Sequence, residues 1–153
     1  MKEKEDSARL FILPAVLLCA TLISFTTDRH PTIDRVPSHA TEEAKNYKAP
    51  FGDARKASPE IIASGKAVFE GKGQCIACHG KSGTGDGPAA KMLKPAPRNF
   101  TDCEFQKHRK DGELFWVIKY GSPGTGMQAM IPHTISEEQG WQLVAYVRSF
   151  CKA

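Results

Sequence analysis

Within "GKGQCIACHGKSGTGDG", residues 71–87, Cys75 and Cys78 stand three apart and His79 directly follows the second. No other feature restricts the fold of the chain so strongly. Two thiols and an imidazole fixed this close together serve a metal, a redox pair or a covalently held group, and each of these needs different surroundings. The rest of the sequence must therefore be read for those surroundings.

The domain that carries the motif is preceded by extra length. Leu10 to Phe25 ("LFILPAVLLCATLISF") is sixteen residues without a charge, a little long for a secretory apolar region and short of the ~20 that comfortably span a bilayer. It reads as an export segment, either cleaved or kept as an anchor, over residues 1–27. Cys19 lies inside it and reads as an apolar filler. Export places Cys75, Cys78, Cys103 and Cys151 in an oxidising compartment, periplasmic or membrane-tethered facing the periplasm, where spare thiols become disulfides. Residues 28–58 carry three prolines and no sustained period, and read as a polar tether.

From Ser58 onward the pattern is helical. Ser58 is placed as an N-cap, with Pro59 at the first helical position and apolar Ile61, Ile62, Ala67, Val68 and Phe69 following. Pro88 to Lys94 reads as a short second helix that holds Met92 in the core. After a loop, Asp111 reads as the N-cap of "GELFWVIKY", which stops at Gly121. Ser136 and Gln139 form a capping box ahead of a stripe that runs from Trp141 to Phe150. Four helices and no convincing strand result: an all-α fold, with residues 59–153 as the domain.

A helical domain of that size, with long Gly/Pro loops, has a modest core, so a large buried prosthetic group would serve as core material. Cys-x-x-Cys-His is the attachment pattern for c-type haem: the thiols add across the porphyrin vinyl groups and the imidazole is held under the iron. Zinc competes, but it needs four ligands and no second Cys or His pair has the spacing. A thioredoxin-like pair needs a βαβ setting that is absent.

"GKAVFEGKGQCIACHGKSGTGDGPAAKMLKPAPRNFTD", "DGELFWVIKYGSPGTGMQAM" and "LVAYVRSF" together resemble an exported mono-haem cytochrome c of the class I family, over roughly residues 59–153. The resemblance implies one covalent haem c on Cys75 and Cys78, with His79 as proximal iron ligand. It implies a first and a last helix crossing through Gly65, Phe69, Tyr146 and Val147, and a proline loop around Pro95 and Pro97 that orients the histidine. It also implies a methionine as second axial ligand. Met127 follows the glycine-rich "GSPGTG" as the family pattern has it, although Gln128 stands where a proline is usual. Met130 and, less well placed, His133 remain the alternatives. Arg98 matches a position from which a guanidinium reaches a haem propionate.

Cys103 and Cys151 are the thiols left over, and an even number outside the cytoplasm is expected to pair. Phe100, Phe105, Phe115, Trp116, Trp141 and Phe150 are read as core and pocket wall. Residues 28–153 hold 18 basic against 14 acidic side chains, too slight an excess for a nucleic-acid partner. Lys72, Lys81, Lys91 and Lys94 cluster about the motif and would steer redox proteins with acidic docking faces. The expected function is single-electron transfer between larger redox proteins, not turnover of a substrate. The alternatives are a fixed haem subunit of a membrane oxidase, reductase or dehydrogenase complex, and a haem enzyme with a displaceable distal ligand.

Overall fold

The computed structural model describes residues 34–151, so the export segment at residues 10–25, Cys19 and His30 lie outside the described residues. Among the described residues there are six α-helices and no strand. They are α1 (Thr41–Asn46), α2 (Pro59–Glu70), α3 (Ile76–His79), α4 (Cys103–His108), α5 (Asp111–Tyr120) and α6 (Glu137–Ser149). None is long and apolar enough to cross a membrane.

α2 and α6 start where their caps dictate. The Ser58 hydroxyl accepts the Ile61 N–H at 3.5 Å, and Ser136 and Gln139 exchange side-chain and backbone bonds of 3.2 and 3.0 Å. Each satisfies backbone donors that a helix end leaves without intrahelical partners. The two helices cross at Gly65, where a Cβ would collide with the Gln142 carbonyl oxygen and lie 2.9 Å from the Tyr146 Cβ. Only a glycine permits so close an approach. One turn further on, the Phe69 ring meets Tyr146 edge-on at 5.2 Å. Phe69, Phe115, Ile135, Leu143 and Val144 are fully buried around this crossing, and Phe115 stacks on Trp141 at 4.1 Å.

α5 begins differently from expectation. Its N-cap is Lys110, whose N–H donates to the Glu113 carboxylate at 2.7 Å. Asp111 is the first helical residue, and its carboxylate accepts from Arg148 Nε at 2.7 Å and from the Ala54 N–H at 2.9 Å. The loop expected ahead of α5 contains α4, capped by Asp102, which accepts from the N–H groups of Glu104 and Phe105. The helix expected over Pro88 to Lys94 shrinks to a 3₁₀ turn at Ala90–Met92, and Met92, expected in the core, is 80% exposed. So short an element has no second apolar residue one turn away to carry Met92 inward.

The tether expected over residues 28–58 needs correction along its described part. The chain there forms a 3₁₀ turn at Ser38–Ala40, α1, and a second 3₁₀ turn at Ala54–Lys56. Val36, Ala40 and Ala44 recur every four residues, and all three are buried against Trp116. Gly112 lets the strand of chain at Ala44 and Tyr47 lie directly on α5, where a Cβ would meet both carbonyl oxygens. The period is that of a helix face, but its members are too small and too few to stand out from polar neighbours.

Candidate haem site

The turn after α2 delivers the motif. Gly73 N–H donates to the Val68 carbonyl at 2.8 Å and Cys75 N–H to that of Phe69 at 3.0 Å, which folds Cys75 back against the helix end. α3 then carries Cys78 and His79 and stops at Gly80, whose φ of 72° suits a residue without a Cβ. The glycine-rich loop beyond it returns to the motif. Gly85 N–H bonds the His79 carbonyl at 2.9 Å, Gly87 N–H that of Cys78 at 3.1 Å, and Phe100 N–H that of Gly83 at 2.7 Å.

These ties bring the Arg98 carbonyl to within 3.0 Å of His79 Nδ1. The Phe100 ring stacks on the imidazole at 4.3 Å with 20° between planes. Burial holds the His79 pKa below its ordinary value, against the opposite pull of the Arg98 carbonyl. A neutral imidazole that donates from Nδ1 keeps its lone pair on Nε2, the form a metal ion takes. The same burial pushes the Cys75 thiol up to about 11.

A cavity of about 550 Å³ opens on this assembly, within the usual range for cofactor sites. Cys75, Cys78, His79, Arg98, Met127 and Met130 all line it. Phe69, Leu114, Val117, Leu143 and Val147 supply apolar wall. Two reduced thiols, an oriented neutral imidazole and two thioethers facing one apolar space match the donors that a c-type haem requires.

The two methionines differ in their setting. Met130 packs against the buried core and its N–H donates to the Ile118 carbonyl at 3.0 Å. Met127 stands at the turn after α5: its carbonyl accepts the Ser122 N–H at 2.9 Å and its N–H donates to the Thr125 hydroxyl at 3.1 Å. Its backbone is thus held on both sides and its side chain is half-buried at the cavity wall. His133 is exposed and off that wall, as are His39 and His108.

Arg98 is half-buried with its guanidinium 4.8 Å over the Phe105 ring. Its pKa is drawn down to about 10, first by burial and then by the charges of Arg35 and Arg109. The Sγ atoms of Cys103 and Cys151 are bonded, with the Cα atoms 5.4 Å apart, so the end of α6 is fastened to the start of α4. Asp34, Arg35, Val36 and Arg109 also line the cavity. Sequence reasoning missed these four, and the only available signal was the four-residue spacing that docks Val36 on α5.

The family described as cytochrome C oxidase, cbb3-type, subunit III matches residues 60–147. No curated protein matches the chain. Among solved structures, one chain titled "Kuenenia stuttgartiensis reducing HAO-like protein complex Kustc0457/Kustc0458" is 25% identical with a TM-score of 0.56. The match covers 74% of this chain and 55% of that one, so this chain spans little more than half its length. A second, titled "KustC0563 c-type cytochrome", is 27% identical with a TM-score of 0.48, covering 57% of this chain and 98% of that one. By its matched span, the chain belongs to the family described as cytochrome C oxidase, cbb3-type, subunit III, and its helical domain is that of a class I cytochrome c.

Proposed function

We propose that the chain passes single electrons between larger redox proteins through one haem, joined by thioethers to Cys75 and Cys78 and ligated by His79 and Met127. The observation that carries this reading is the convergence of all four side chains on one apolar cavity, with His79 Nδ1 held by the Arg98 carbonyl. When bound, the haem supplies reversible one-electron chemistry at its iron, with a potential set by axial ligands, hydrogen bonding and burial. The chain does the rest. The Arg98 carbonyl fixes the ring plane of His79 and raises its basicity as a ligand. Met127 takes the distal role because its turn is clamped through Ser122 and Thr125 while Met130 is engaged in the core. Phe100, Phe105 and the α5 wall would exclude water from the haem, and Arg98 would pair with one of its propionates.

Residues 10–25 would export the chain and, if retained, tether it to the membrane facing the periplasm. Lys72, Lys81, Lys91 and Lys94 are all exposed and would meet acidic faces on redox partners. The family description favours a second reading, a fixed haem subunit of a membrane complex. A stoichiometric large partner retained through detergent purification supports the fixed subunit, and a free monomer supports the shuttle.

The test is covalent attachment. The exported protein, denatured and stripped with acidic ketone, is expected to keep one haem by mass and by its spectrum. Cys75→Ser with Cys78→Ser is expected to lose it. A parent protein that surrenders its haem to the solvent contradicts the reading.

A further inference from the structure

The N-terminal segment, residues 34–36, lies outside the family match at residues 60–147, yet it forms part of the cavity wall. Its backbone is fastened from several directions. The Ser122 hydroxyl donates to the Arg35 carbonyl at 3.1 Å, tying the segment to the turn that holds Met127. Asp34 accepts the Val36 N–H at 3.0 Å and faces Arg109 at 3.6 Å. The same Arg109 nitrogen, Nη1, also reaches the buried carboxylate of Glu113 at 3.4 Å. Val36 is buried with Ala40 and Ala44 against Trp116. Arg35 therefore stands on a backbone that cannot swing away from the cavity without breaking these contacts.

Among the described residues the wall carries the bases Arg35, Lys72, Arg98 and Arg109 beside the acids Asp34 and Glu113, in a lining that is otherwise largely apolar. Arg35, Arg98 and Arg109 are near enough for the charges of the first and third to depress the pKa of the second. A haem carries two carboxylates, and guanidinium is the group that binds a carboxylate through two parallel N–H donors.

We propose that Arg35 binds a haem propionate from outside the span that the family matches, so that the segment at residues 34–36 acts as a clasp completing the haem site. Arg109 is a positioning residue here: its Nη1 bridges Glu113 and Asp34 and so fixes the segment that carries Arg35. The cation also favours the electron-rich ferrous state, so the clasp raises the reduction potential. Val36 and Ala44 carry the clasp into the fold.

This inference rests on haem attachment at Cys75 and Cys78, which the mass of the denatured protein reports separately. The experiment uses the full exported holoprotein and compares Arg35→Gln, Arg35→Lys and Lys48→Gln by redox titration and by the propionate bending bands of the resonance Raman spectrum. Lys48 is exposed and off the cavity wall, so it removes an equal charge elsewhere. Arg35→Gln is expected to lower the midpoint potential and shift a propionate band with haem still attached. Arg35→Lys is expected to keep most of the potential and still shift the band, and it decides the matter alone if Arg35→Gln yields no holoprotein. Lys48→Gln is expected to change neither. Unchanged propionate bands in the Arg35 variants, or a fall in potential no larger than that of Lys48→Gln, overturn the proposal while leaving the haem reading intact.

Discussion

Arg148 Nε donates to Asp111 Oδ1 over 2.7 Å, joining the last turn of α6 to the first turn of α5. The rest of the guanidinium is equally occupied. Nη1 reaches the Gln106 carbonyl and side-chain oxygens at 2.7 and 2.8 Å, and Nη2 reaches the Arg109 carbonyl at 2.5 Å. Burial draws the Arg148 pKa down, and the Asp111 carboxylate beside it acts in the opposite direction. One side chain thus secures α4, α5 and α6 together, and through the Asp111 bond to Ala54 it also secures the 3₁₀ turn at Ala54–Lys56.

Arg148→Met is expected to cost about 3–5 kcal/mol, because it removes the 2.7 Å partner of a largely buried carboxylate, leaving it Arg55 at 3.9 Å, and takes one donor from each of three carbonyl oxygens. Denaturant unfolding of the holoprotein measures it. Adding Asp111→Asn should cost less than the sum of the single changes, since the second substitution removes the charge whose nearest partner the first took away.

The starts of α2 and α6 were legible in the sequence because their requirements are local: Ser58 and Ser136 announce them. Their crossing through Gly65, Phe69 and Tyr146 joins distant parts of the chain and came only from the family resemblance. The haem motif was legible because its five residues are contiguous. Asp111 was misread since capping position and ion pairing call for the same residue type, and only the fold reveals that Arg148 competes for it. α4 escaped notice because a six-residue helix shows too little period to separate from a loop. The clasp was hidden for a different reason. Val36, Ala40 and Ala44 bury little area each, and their contribution depends on Trp116 and Gly112, which lie far along the chain.

The Cys103–Cys151 bridge closes a span of 48 residues. Replacing both by Ser is expected to destabilise the domain by about 4 kcal/mol on the chain-entropy account, while haem attachment is retained. Non-reducing peptide mass spectrometry of the parent should find the cross-linked pair, and two alkylatable thiols in the folded, oxidatively matured protein would count against it.

Exposed Lys72 and Lys91 give the docking proposal its test. Electron transfer to the physiological partner is expected to slow as ionic strength rises, since a Debye length of about 10 Å at 0.1 M screens steering. Lys72→Glu and Lys91→Glu should lower the rate at low salt and flatten its salt dependence. A rate indifferent to salt would favour a subunit held by fixed contacts.

The central claim is an iron held between His79 and Met127. The weak sulfur-to-iron absorption at the red end of the ferric spectrum reports a methionine ligand directly, and its response to two substitutions assigns it. Met127→Ala is predicted to abolish the band and lower the potential, with Met130→Ala keeping the band. Loss of the band in Met130→Ala alone, or its absence from the parent protein, would contradict the account.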